Sequence, residues 1–148
     1  IPICFEVTRA ALCRWLVVDG GHRRAAAIFN LSNDGWFGKF AGGREQHLQA
    51  ARWRCVELGV PMARAVNTGI SAAIDSRGQV IQRGPNSRER GPEDDSRDRA
   101  VDSDGVMSVK LKVEPDRPPT IYGRIGDLIG WLVLLAAGAW WLFRVVRG

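Results

Sequence analysis

From Leu128 to Phe143 no charged residue occurs, and this block limits what the rest of the chain can be. At a rise of ~1.5 Å per residue a helix over it is roughly 24 Å long, slightly short of a ~30 Å hydrocarbon core. Adding residues 125–127 and 144–146 extends it to about 33 Å, with Arg144 able to snorkel to the interface. Trp131, Trp140 and Trp141 lie toward the two ends, as interfacial aromatics do. Such a block either sits inside a larger soluble core or crosses a membrane. Its length, its tryptophans and its terminal arginines favour crossing, so a transmembrane helix is expected over residues 124–146. Arg117 and Arg124 precede it while Arg144 and Arg147 follow, so the positive-inside rule does not orient it.

The remaining residues have room for one modest α/β domain. Net charge is +5 and the pI is near 9.7, but acidic residues are interleaved with the arginines. No zinc-finger or RNA-binding signature accompanies them, so no nucleic-acid partner is expected. A solvated surface with some attraction to anionic headgroups accounts for the charge. The three cysteines, Cys4, Cys13 and Cys55, are widely spaced without a CxxC pair, so neither a metal site nor a disulfide framework is expected. The chain opens on Ile1, and Ile1–Cys4 already reads as a strand in progress with no signal peptide before it. A fragment or processed product is the expectation.

Ile1–Glu6 reads as a short strand, and Thr8 as the cap of a helix over about Arg9–Val18 that Asp19-Gly20-Gly21 ends. Ala25–Leu31 suits a buried strand, followed by the turn residues Ser32-Asn33-Asp34-Gly35. A second helix is predicted over about Arg44–Leu58, with Leu48, Ala51, Cys55 and Leu58 on one stripe and Gly59 and Pro61 ending it. Met62–Asn67, Ile70–Ile74 and Gln79–Gln82 read as strands, with turns at Thr68-Gly69 and Ser76-Arg77-Gly78. Alternating strands and helices argue for α/β layers. Residues 84–105 mix Arg, Glu and Asp with Ser, Pro and Gly, and read as a charged, mobile loop. At Met107–Val113 apolar and polar residues alternate as in a strand with one wet face. The boundaries that follow are 1–83 for the α/β domain, 84–105 for the loop, 106–123 for a last strand and connection, and 124–146 for the membrane helix.

Cys4 lies at the end of an apolar strand, where a scaffold can hold a thiol at a pocket mouth. From spacing alone, an inert buried strand cysteine is the commoner reading. A thiolate needs a nearby cation or aligned N–H groups, and Glu6 alone would raise the thiol pKa. His22 and His47 read as packing or hydrogen-bonding residues. Trp36 and Phe37 either line an apolar pocket or fill core.

Taken together, the segments resemble the nitrilase, or carbon–nitrogen hydrolase, superfamily, and within it the apolipoprotein N-acyltransferases. Ile3-Cys4-Phe5-Glu6 is similar to the family's nucleophile motif. Phe29-Asn30-Leu31-Ser32-Asn33-Asp34-Gly35-Trp36-Phe37-Gly38 is the most specific match. Gln46-His47-Leu48-Gln49-Ala50-Ala51-Arg52, Glu57-Leu58-Gly59 and Arg64-Ala65-Val66-Asn67-Thr68-Gly69-Ile70-Ser71 follow in the family's order. Thr120-Ile121-Tyr122-Gly123-Arg124-Ile125-Gly126-Asp127 then precedes the apolar helix, which soluble relatives lack.

The resemblance implies the C-terminal part of a nitrilase-like α-β-β-α sandwich followed by one transmembrane helix, in the bacterial inner membrane with the catalytic domain facing the periplasm. It implies a Glu–Lys–Cys triad in which Cys4 is the nucleophile and Glu6 a supporting residue, with Phe5, Trp36 and Phe37 at the substrate. Cys4 would take an acyl chain from a phospholipid as a thioester and pass it to the α-amine of a diacylglyceryl-cysteine on a lipoprotein acceptor, without cofactor or metal. The family's general-base Glu and its Lys precede the nucleophile motif, so the chain by itself is expected to be inactive. A membrane-tethered amidase and a non-catalytic truncated membrane module are the alternatives.

Overall fold

The computed structural model describes residues 1–38, 40–84 and 106–147. Its elements, in chain order, are helix α1 (Ala10–Val17), strands β1 (Val18–Asp19), β2 (His22–Arg23) and β3 (Ile28–Ser32), helix α2 (Ala41–Leu58), strands β4 (Met62–Val66), β5 (Ala72–Ile74) and β6 (Val80–Arg83), and helices α3 (Ile121–Ile125) and α4 (Leu128–Arg147). Two 3₁₀ turns, Cys4–Thr8 and Gly35–Phe37, complete the list. The class is mixed α/β, as the sequence pattern implies.

The sheet runs β3-β4-β5-β6. β3 and β4 are parallel, with Ile28 opposite Met62 and Ser32 opposite Val66, and α2 is the crossover between them. β4, β5 and β6 continue antiparallel through tight turns. Leu48, Ala51, Cys55 and Leu58, the stripe predicted for the second helix, are all buried with Ile28, Met62 and Ile74 beneath them. Gly59 ends α2 in the left-handed region at φ +63, and its N–H closes on the Cys55 carbonyl at 2.8 Å.

Several local expectations differ from the structure. The first strand stops at Ile3, which makes a single parallel bridge to Leu31, and Cys4 begins the 3₁₀ turn instead. Thr8 does not cap α1: its hydroxyl donates to the Phe5 carbonyl at 2.7 Å, inside that turn, and Arg9 takes the cap position. β3 is buried on one side only, because Phe29 and Leu31 alternate outward with more than half their surface exposed. Residues 107–112 keep the alternation in burial, which ends at the exposed Val113, but no strand forms there and no ladder partner stands beside them among the described residues. The expected charged loop lies, but for Gly84, outside the described residues.

The apolar block is α4, 20 residues or about 30 Å, with no residue buried. It is long and apolar enough to cross a membrane. A separate turn precedes it: α3 is capped by the Thr120 hydroxyl, which accepts the Gly123 N–H, and ends at Gly126, φ +58. Arg14 of α1 holds this turn by donating to the carbonyls of Gly123 and Arg124 at 2.9 and 2.6 Å. At the far end Arg144 and Arg147 lie over the rings of Trp140 and Phe143.

Gly59 supplies a local test of this packing. A Cβ there would adopt an unfavourable φ and approach Thr120 Cγ2 to 2.9 Å. Gly59→Ala is expected to destabilise the chain by about 1–2 kcal/mol, read as a lower urea midpoint in detergent micelles.

Candidate active site

The parallel pairing gathers three chain segments at the carboxyl ends of the first strands, where open α/β sheets place their ligands. Ile3 leads into Cys4, β3 into Ser32-Asn33-Asp34, and β4 into Asn67-Thr68. The Asn67 N–H donates to the Ser32 carbonyl at 2.9 Å and the Asp34 N–H to the Thr68 carbonyl at 3.0 Å, so the loops continue the ladder beyond the strands.

Cys4 is the one described residue other than glycine with positive φ, at +49. A residue of this type in the left-handed region costs of the order of 1–3 kcal/mol and persists where the surroundings impose it. Here Glu6 imposes it in part: its carboxylate folds back to accept the Ile3 N–H at 2.7 Å, closing the turn around Cys4. Glu6 thus shapes the backbone that carries the thiol. The Cys4 thiol is half-buried, 3.8 Å from the Asn33 carbonyl. Its pKa is held below the ordinary value, first by hydrogen bonding to the Ser32 hydroxyl and then to the backbone at Asn33 and Phe5. Partial burial and the Asp34 carboxylate oppose this without reversing it. Burial raises the other two thiols, Cys13 to about 11 and Cys55 further. Of the three thiols, Cys4 therefore combines access with a lowered pKa, the direction a nucleophile requires.

Beneath the thiol lies a buried polar cluster of Asp34, His47, Arg64 and Asn30. Arg64 donates to Asp34 Oδ2 at 2.9 Å and to Asn30 Oδ1. Asn30 Nδ2 donates onward to the Pro2 carbonyl at 3.0 Å. Ser32 Oγ lies 2.8 Å from Asp34 Oδ1, its single hydrogen turning either to that oxygen or to the thiol, and His47 Nδ1 lies 2.8 Å from the same oxygen. His47 Nδ1 thus lies between the Asp34 carboxylate, which only accepts, and the Arg64 guanidinium 3.1 Å away, which only donates. Gly69 is required beside this cluster: at φ +148, a Cβ there would lie 2.8 Å from Asp34 Cβ. The cluster ties Pro2 on one side of Cys4 to Ser32 on the other, so it fixes the thiol's setting from below. Burial would raise the Asp34 pKa, but His47, Ser32 and Arg64 together bring it below its ordinary value.

The aromatic residues predicted for the site meet at one place. Phe5 and Trp36 contact edge to face with ring centres 5.9 Å apart, and Trp36 stacks on Phe37 at 4.1 Å. With Thr8, Gly43, Gln46 and His47 they line a pocket of about 220 Å³. Of the residues the resemblance assigns to the site, Phe5, Trp36 and Phe37 line this pocket, while Cys4 and Glu6 flank Phe5 in the chain without lining it. The sequence reading assigned no role to Asp34, Arg64, Asn30 or Ser32, whose partners lie up to 34 residues away. No group of His, Cys, Asp and Glu that could hold a metal occurs among the described residues.

Fold and site define a mixed α/β domain that presents one accessible thiol with a lowered pKa at the ends of its parallel strands. No protein-family model matches the chain. It is 39% identical over 124 residues to the apolipoprotein N-acyltransferase of Bradyrhizobium diazoefficiens, covering 80% of this chain and 20% of that protein. To the Vibrio vulnificus apolipoprotein N-acyltransferase it is 31% identical over 144 residues, 96% of this chain and 24% of that protein. To the Agrobacterium fabrum apolipoprotein N-acyltransferase it is 56% identical over 74 residues, 47% of this chain and 14% of that protein. The chain belongs to the apolipoprotein N-acyltransferase family, as a segment spanning about a fifth of the length of these curated relatives.

Two outcomes test the site's electrostatics. Iodoacetamide should label Cys4 first, with a pH midpoint below 9.0, and Ser32→Ala should move that midpoint up; peptide mass spectrometry across pH reads both. Asp34→Ala should cost about 3–5 kcal/mol, because it leaves the Arg64 guanidinium buried and unpaired. With its folded pKa below the unfolded 3.8, Asp34 contributes stability that is fully present above pH 3.8. That contribution is lost as pH falls through the lower folded value, and denaturant midpoints measured down to that range check the sign.

Proposed function

We propose that this chain carries the nucleophile of an apolipoprotein N-acyltransferase. On this reading the Cys4 thiolate attacks the carbonyl carbon of a phospholipid acyl ester. The ester C–O bond breaks, a thioester forms on Sγ, and the lysophospholipid leaves as an alcohol after taking up a proton. The α-amine of a diacylglyceryl-cysteine at a lipoprotein N-terminus then attacks the thioester. An amide forms, the C–S bond breaks, and the Cys4 thiolate returns as the amine gives up its proton. Splitting the transfer in two gives each half a better nucleophile or leaving group than direct aminolysis of the ester.

The observation that carries the reading is the state of the three thiols: Cys4 alone is accessible and held toward the thiolate, on a strained turn beside an aromatic pocket. The relatives' shared name supports lipoprotein and acyl-donor substrates in general. The Glu and Lys of the implied triad belong to the region before the nucleophile motif. The outward face of the sheet, with Ile3, Phe29, Leu31 and Ile81 exposed, is the surface a second sheet would cover in the implied α-β-β-α sandwich. Crossing of the bacterial inner membrane by α4, with the domain on the periplasmic side, completes the proposal and puts the thiol within reach of lipid.

The test is to splice this chain in place of the matching segment of the Bradyrhizobium diazoefficiens transferase. The hybrid should form a hydroxylamine-sensitive acyl adduct on Cys4 with a labelled phospholipid and N-acylate a diacylglyceryl lipopeptide. Cys4→Ala should abolish both, a loss of at least about 10³-fold given the scale of nucleophile removal. Ammonia release from small amides in place of lipid transfer would overturn the reading in favour of a hydrolase.

A further inference from the structure

Helix α1, Ala10–Val17, is apolar at every position but Arg14, yet only Cys13 and Val17 are buried. Ala11 and Trp15 are exposed one turn apart, and Leu12 and Leu16 beside them are half-buried. Trp15 keeps 56% of its surface. A helix on the surface of a water-soluble domain turns polar residues outward, and α1 has a single polar side chain to turn. That side chain is committed elsewhere. Arg14 donates to the carbonyls of Gly123 and Arg124, and it lies against Gly126, where a Cβ would meet its Nε at 3.4 Å. α4 begins two residues on, at Leu128, with no residue buried. The uncovered apolar face of α1 therefore stands at the root of the uncovered apolar helix, held there by its own arginine.

The charges around this face are mostly positive. Arg24 lies over the Trp15 ring, its guanidinium carbon 5.2 Å from the ring centre. Arg9 precedes α1 and Arg124 stands in the last turn of α3, both exposed. The acids beside them are Asp19, 3.9 Å from Arg24, and Asp127, between α3 and α4. With Arg14 included, cations outnumber carboxylates on this shoulder. An apolar helix face with a basic rim lies in the plane of a bilayer surface, its large side chains at the acyl boundary and its cations among the phosphates. We propose that α1 docks on the headgroup layer of the membrane that α4 crosses. Leu12, Trp15 and Leu16 reach the acyl boundary, and Arg9, Arg24 and Arg124 draw anionic phospholipid. The inference rests on the reading of α4 as a membrane-crossing helix and uses no step of acyl transfer.

The experiment uses the full chain, labelled with 5-fluorotryptophan, in nanodiscs of phosphatidylcholine with and without phosphatidylglycerol. Its six tryptophans are observed by ¹⁹F NMR, and Trp15→Phe assigns the signal in question. A lipid spin-labelled near the headgroup end of its acyl chain broadens tryptophans at the interface, and a water-soluble nickel chelate broadens those in water. Trp15 should respond to the lipid label and be shielded from nickel, and phosphatidylglycerol should raise the ratio of the two effects. Arg24→Gln should reduce that rise about fivefold, the usual strength of one basic residue at an anionic surface, and leave the phosphatidylcholine value in place. Broadening of Trp15 by nickel alone would put α1 in water, and broadening by neither agent would put it under protein; each overturns the proposal. So does a ratio that neither phosphatidylglycerol nor Arg24→Gln moves. Trp131, Trp140 and Trp141 report on α4 in the same sample. If they meet the lipid label and Trp15 does not, α4 still crosses and this docking surface falls. If none of the four meets it, the membrane reading of α4 falls as well.

Discussion

The buried ion pair between Arg64 and Asp34 is the constraint on which the site depends. Removing two charges from water costs several kcal/mol per ion, and the attraction between them offsets this only when nearly every remaining donor and acceptor is engaged. Asp34 meets that condition, with Arg64 on one oxygen and both Ser32 and His47 on the other. Arg64 spends its second amino group on Asn30, and Asn30 reaches Pro2. Each bond brings in a different segment. The pair therefore holds the ends of β3 and β4, the start of α2 and the residues before Cys4 in a single arrangement. A cluster of this kind adds little net stability over an apolar core, but any half-satisfied version of it is heavily penalised, which restricts the loops to one geometry.

How much of this could be read from the sequence follows from the range of each interaction. The stripe Leu48, Ala51, Cys55 and Leu58 was legible because helical period and burial agree over adjacent turns. Gly59 and Pro61 marked the helix end for equally local reasons. At Ile1–Glu6 the apolar pattern suggested a strand, but the Glu6 carboxylate folds back onto the Ile3 N–H and forces a 3₁₀ turn. Thr8 fits a cap by composition, yet its hydroxyl finds the Phe5 carbonyl first. At 107–112 the alternation records which side chains are half-buried, and alternation without a neighbouring strand does not make a ladder. The Asp34 cluster left no signal in periodicity or spacing, although each of its members falls in a segment that carries the family resemblance. Asp34 reads as turn chemistry and Arg64 as one arginine among many, and only the parallel register of β3 and β4 makes them neighbours. The resemblance to the transferases located Cys4 and the aromatic residues, whereas the charges that set their surroundings needed coordinates.

The two ends of the described structure pull against different solvents. α4 has no buried residue and leaves its apolar surface outside the domain, while α1 and α2 bury theirs against the sheet. What joins them is short and specific. Arg14 grips the two carbonyls at the end of α3, Thr120 donates to the Glu57 carbonyl near the end of α2, and Arg23 reaches the carbonyls of Arg117 and Pro118. These bonds anchor the approach to the apolar helix on the same elements that follow the Cys4 turn. The position of the helix is thus tied to the domain through backbone acceptors, which any side chain at those positions would supply, and through donors that only Arg14, Arg23 and Thr120 provide.

The same separation of tasks runs through the site. The Cys4 pKa stays below its ordinary value although Asp34 acts on the thiol unfavourably, because hydrogen bonding at Ser32 and at the backbone of Asn33 and Phe5 outweighs it. Had the carboxylate faced the thiol directly, like-charge repulsion would have suppressed the thiolate. Pairing Asp34 with Arg64 and His47 lets a carboxylate organise three loops without that penalty reaching the thiol in full. His47 in turn joins the buried pair to the wall of the aromatic pocket. A single ion pair thereby serves two surfaces, holding the thiol's loop on one side and a pocket-wall ring on the other.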